Sequence, residues 1–182
     1  MSRQPDPTAG APDPRGARIT IPGGIIGMVH LLPLPGAPGW GGSMGAVVAR
    51  ARADARALHG AGVDAVLVEN YGDAPFRKTV GPETVAALTA AVLAVRDVTD
   101  RLVGVNVLRN DAAAALGIAA ATGAGFIRVN VHVGGMHTDQ GWIEGRAAET
   151  LRLRPRVAPD VAILADVMVK HATPPAGLTL EQ

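Results

Sequence analysis

At or near the ends of short Val- and Ile-rich runs, this chain carries residues able to move protons or hold a charged ligand: His30, Glu69, Asp166 and Lys170. A carboxylate or imidazole placed there can act as a general acid or base. A lysine there either loses its proton on desolvation and forms a Schiff base or keeps its charge and holds a phosphate, and the phosphate-holding role is preferred. Asn70, Asn106, Arg109, Arg128, Asn130 and His171 accompany these four as groups for binding and orienting a substrate. An amide transfers no proton usefully, but it can fix a ligand hydroxyl.

Each candidate has a structural alternative. Arg128 and Asp166 would face one another from neighbouring strands, so an ion pair within the fold competes evenly with a role in the site. His30, without an evident partner, could simply close its strand through a hydrogen bond. Glu69 could cap the turn in "ENYGD", and His137 and Asp139 sit in a Gly-rich loop that need be no more than a turn. Glu69 and Asp166 offer hard oxygen ligands of the kind Mg²⁺ takes, but the metal signal is weak because HxH and HExxH spacings are absent. A GxGxxG opening a helix and a P-loop are absent too, which removes the usual sequence support for dinucleotide or nucleoside triphosphate binding.

The elements that must position these residues alternate. Residues 25–30, 63–70, 102–107, 125–131 and 161–170 have strand character. Between them, Met44, Val47, Val48, Ala51, Ala55 and Leu58 recur on one helical face behind Ser43 as N-cap. Val85, Leu88, Val92 and Val95 repeat that pattern after Pro82, and an Ala-rich helix follows Asp111. Such a β-α alternation requires parallel strands with right-handed crossovers, hence a (β/α) barrel or a doubly wound sheet. Side chains alternate along a strand, so Ile127, Val129 and Val131 share one face while Phe126, Arg128 and Asn130 share the other. One apolar face and one face that ends in polar groups fits a barrel, whose inner face opens onto a site at the strand C-termini. The long loops also follow strands, at 31–42, 71–81, 132–142 and 171–177. The glycines of 36–42 suggest a mobile lid carrying Trp40.

Composition excludes several classes of function. The 182 residues are 48% hydrophobic and 18% charged, enough for one core. A formal net charge of +1 gives no pull toward nucleic acid. The absence of cysteine removes disulfides and thiolate catalysis. No apolar run is long enough for an integral membrane segment, and a cytoplasmic location is the default expectation. Residues 1–20, with prolines at 5, 7, 12 and 14, read as a disordered tail, leaving 21–182 as a partial barrel domain.

"HLLPLPG", "VENYGDAPF", "GVNVLRND", "FIRVNVHVGG", "TDQG" and "ADVMVKHA", in that order over about residues 25 to 175, resemble the successive signatures of the BtpA family, which includes SgcQ-type proteins. The resemblance implies a TIM-type barrel of the ribulose-phosphate-binding kind. It also implies a family name drawn from photosystem I biogenesis, members outside photosynthetic organisms, and an association of SgcQ-type members with sugar metabolism, without a settled reaction. Two functions follow as expectations. One is a lyase or isomerase, or a binder, acting on a sugar phosphate or related metabolite; the other is a non-catalytic accessory or assembly factor. A full barrel takes about 250 residues. Five strands are therefore expected to be about five of eight β/α units, incompetent alone, with open edges that a second copy or a protein partner would cover.

Overall fold

The computed structural model describes residues 20–179. The tail expected at 1–20 falls almost wholly outside them. Five parallel strands form one sheet: β1 (Ile26–His30), β2 (Ala65–Glu69), β3 (Leu102–Asn106), β4 (Phe126–Val129) and β7 (Ala162–Ala165). Their order in the sheet follows their order in the chain. Helices α1 (Met44–Gly60), α2 (Pro82–Arg96), α3 (Ala112–Thr122) and α4 (Ala147–Val157) make the crossovers. This is the arrangement of an incomplete α/β barrel.

Local sequence accounts for the helix starts. Ser43 caps α1 by accepting from the Ala46 N–H, and Asp111 caps α3 by accepting from the Ala114 N–H. Pro82 opens α2, where its missing N–H is not needed. Val29, Val66, Val68, Val103, Val105, Ile127 and Val129 form one core with the apolar stripes of α1, α2 and α3. Each such valine, removed from water, contributes about 1.5–3 kcal/mol.

The opposite face is stacked in three layers, as the pairing register requires. Ile26, Ala65 and Leu102 form the first; Met28, Leu67, Gly104, Phe126 and Ala162 the second; His30, Glu69, Asn106, Arg128 and Leu164 the third. The first two layers are apolar and the third turns polar at the strand C-termini, as on the inner side of a barrel. Gly104 is needed for this packing, since a Cβ there would overlap the ring of fully buried Phe126.

Three expectations change. The strand expected at 161–170 is only Ala162–Ala165. Asp166 still donates its N–H to the Val129 carbonyl, but Met168 then takes a φ of 54° and the chain turns away. The loop expected after β4 contains a hairpin, β5 (Gly135–Thr138) and β6 (Gly141–Glu144). Met136 and Ile143 of the hairpin bury against Val131 and Val169, and His137 exchanges backbone hydrogen bonds with Thr173. Finally, the 31–42 loop is anchored. Leu34 is buried with its N–H bonded to Asp73, Trp40 packs on the main core, and Gly72 closes against the backbone of residues 31–33. No residue of 36–42 lines the large cavity described next, so the loop is not a lid over it.

Candidate functional site

Over the C-terminal ends of the strands lies a cavity of about 730 Å³. His30, Glu69, Arg109, Arg128, Asn130, Asp166, Lys170 and His171 all line it, together with apolar Met28, Phe76 and Val169. Eight of the ten residues expected from sequence are thus gathered in one place.

Its floor is a connected polar row. Glu69, 4% exposed at the end of β2, is held through Oε2, which accepts from Asn106 Nδ2 at 2.6 Å and from Arg128 Nη1 at 3.4 Å. Arg128 makes a two-pronged pair with Asp166: Nε donates to Oδ1 at 2.8 Å and Nη2 to Oδ2 at 2.9 Å. Asn130 Nδ2 adds a third bond to Asp166 Oδ2 at 2.8 Å. The hydrogen bonds to Asp166, then its charge and that of Glu69, raise the Arg128 pKa above its ordinary value in spite of burial. Arg128 is therefore a fixed cation between two carboxylates. Of the two roles open to Arg128 and Asp166, the ion pair is present.

The other oxygen of Glu69, Oε1, stands 3.7 Å from His30 Nε2. The His30 side chain is 47% exposed and stacks on Tyr71, with ring centroids 4.4 Å apart and planes at 17°. Tyr71 also lines the cavity and was missed from sequence; its signal was its place two residues after Glu69 in "ENYGD". Asp139, expected as part of a turn, lines the cavity from the hairpin. The orphaned polar atoms include two here, Arg109 Nε and Asn130 Oδ1.

The two remaining residues act from behind. Asn106, 1% exposed, positions Glu69 and is absent from the cavity wall. Asn70 is fully buried: its Oδ1 accepts from the Leu108 N–H, while Nδ2 donates to the Leu108 carbonyl and to Asp73. It clamps the loop that delivers Arg109, and faces a separate cavity of about 260 Å³. Asn110 plays a like part for the segment that follows β4, exchanging two hydrogen bonds with the backbone of Val131. As for Mg²⁺, the Arg128 guanidinium occupies the place between Glu69 and Asp166, and among the described residues no three His, Asp or Glu side chains converge to hold a metal. The helices described are none of them long and apolar enough to cross a membrane.

Fold and site together define an incomplete α/β barrel with a polar cavity at its strand C-termini. The chain belongs to the BtpA family, whose model matches residues 23–182. It is 56% identical over 151 residues to the protein of Synechocystis sp. named Photosystem I biogenesis protein BtpA, covering 82% of this chain and 53% of that one. An uncharacterized protein of Pyrococcus horikoshii is 50% identical over 149 residues, with 82% and 58% covered. Another, from Caenorhabditis elegans, is 35% identical over 155 residues, with 81% and 56% covered. The chain spans about half the length of these curated relatives. No solved structure matches it.

Proposed function

We propose that the protein binds a phosphorylated sugar or a related polyol metabolite in the cavity over the strand C-termini and exchanges a proton with it, in chemistry of the lyase or isomerase type. One observation carries this reading: a buried carboxylate, Glu69, has one oxygen engaged by Asn106 and Arg128 and the other turned toward the half-exposed ring of His30 at the mouth of a cavity of about 730 Å³. His30 is the group that reaches the ligand and moves the proton, steadied by Tyr71. Glu69 supports the charge that develops on the imidazole. Arg128 and Asp166 act by holding Glu69 in place, and Lys170 offers its ammonium to the ligand.

A second reading, a non-catalytic accessory or assembly role, is favoured by the name of the Synechocystis relative. Relatives of Pyrococcus and Caenorhabditis at 50% and 35% identity weigh toward a function not confined to photosynthesis. Incubation of the purified protein with a phosphosugar library separates the two. The metabolite reading expects a ligand-dependent rise in melting temperature that Glu69→Gln diminishes; no rise across the library, with a stable protein partner in pull-downs, supports the accessory role.

A further inference from the structure

Among the described residues, Arg109 is a buried cation without a counter-ion. Only 6% exposed, it follows β3 and lines the large cavity. Nη2 donates to the His171 carbonyl at 3.2 Å, while Nε is buried with no partner. The cavity's buried carboxylate, Glu69, and its partly buried one, Asp166, are both engaged by Arg128. The third, Asp139, is exposed on the hairpin and accepts from Gln140. An ionised group taken out of water is costly unless a charge answers it. Among the described residues no charge answers it.

The surroundings of Arg109 suit an oxyanion. Lys170 and His171, both exposed, line the same cavity from the loop after β7. Asn130, 3% exposed, ends nearby in an amide whose oxygen lacks a donor, an acceptor suited to a ligand hydroxyl and not to the anion itself. We propose that Arg109, Lys170 and His171 form the anion-binding part of the cavity and take the phosphate group of the ligand, leaving His30 and Glu69 to face its reacting part. A guanidinium matches two phosphate oxygens with its planar fork, and an ammonium adds a compact charge. Barrels commonly hold phosphate in the loops after their seventh and eighth strands; this site is built after the third and fifth parallel strands. The inference rests on the cavity being the ligand site.

Calorimetric titration of the full chain with inorganic phosphate, beside the phosphosugar library, tests it in wild type, Arg109→Gln, Lys170→Ala and Glu69→Gln. Saturable phosphate binding is expected, weakened about tenfold or more in Arg109→Gln and Lys170→Ala and little changed in Glu69→Gln. If Arg109→Gln does not fold, Lys170→Ala, at an exposed position, still decides. Absence of saturable phosphate binding overturns the inference. Phosphosugar binding that Glu69→Gln removes but Arg109→Gln and Lys170→Ala leave intact overturns the anion assignment alone. Binding of neither probe overturns both this inference and the proposed function.

Discussion

Removing Asp166 tests how the polar floor is held. In Asp166→Ala, Arg128 loses acceptors at 2.8 and 2.9 Å and keeps only Glu69 Oε2 at 3.4 Å. Breaking a fully buried pair costs about 3–5 kcal/mol. The Arg128 and Asp166 side chains are 32% and 18% exposed, so water repays part of this and the expected loss is about 2–3 kcal/mol. Arg128→Ala leaves two carboxylates facing each other without a cation, Glu69 being only 5% exposed, and should cost about 3–4 kcal/mol. In the double variant the losses should fall short of the sum by about 1.5–2.5 kcal/mol, as for groups in direct contact. Urea unfolding monitored by circular dichroism measures all three. In a chain of this size Asp166→Ala should also lower Tm by roughly 5–10 °C. Additive losses, with coupling below about 0.5 kcal/mol, would refute the pair as the organiser of the site. Equal unfolding of both single variants with ligand binding intact would remove Arg128 and Asp166 from the site altogether.

Other outcomes are as specific. Gly104→Ala should destabilise by about 1–3 kcal/mol or prevent folding, because the added methyl meets the Phe126 ring in a closed layer; an unchanged urea midpoint would place Phe126 elsewhere. Asn70→Ala strips partners from the Leu108 N–H, the Leu108 carbonyl and Asp73 and should cost about 2–4 kcal/mol. It should loosen the Arg109 loop, read as faster amide exchange at 107–111. Burial lowers the His132 pKa below its ordinary 6.5. The unfolded chain therefore takes up this proton first, so stability present above pH 6.5 is lost as pH falls through the folded value. His132→Gln should flatten that part of the urea midpoint against pH curve, and an identical curve would assign the slope to other groups.

The sequence carried most of the site because β-strand alternation is strict. Phe126, Arg128 and Asn130 had to share a face once Ile127 and Val129 were given to the helices, and in-register pairing then set Arg128 beside Asn106, Glu69 and His30. Alternation misled beyond Ala165, where "DVMVK" keeps valines at alternate positions but the backbone turns at Met168. Lys170 and His171 reach the cavity from a loop instead. The β5–β6 hairpin was hidden because its strands have four residues each and its two-residue turn, Asp139–Gln140, lacks the Asn-Gly signature. The alternation of Met136 and Ile143 with His137 and Trp142 was its one sign. The glycines of 36–42 suggested freedom, but Leu34 before them and Trp40 among them pin that loop, and an anchor 39 residues away in Asp73 is not legible in local composition.

The proposed function requires that ligands enter the cavity bounded by His30, Glu69, Arg109, Arg128 and Lys170. Two-dimensional amide NMR of the isotopically labelled chain, titrated with the phosphosugar library, tests it most directly. Saturable shifts are expected, concentrated at 30–32, 69–72, 106–110, 128–131 and 166–171, and weakened in Glu69→Gln. Saturable shifts that cluster on the helices or at the opposite ends of the strands, with these five segments silent, would contradict it.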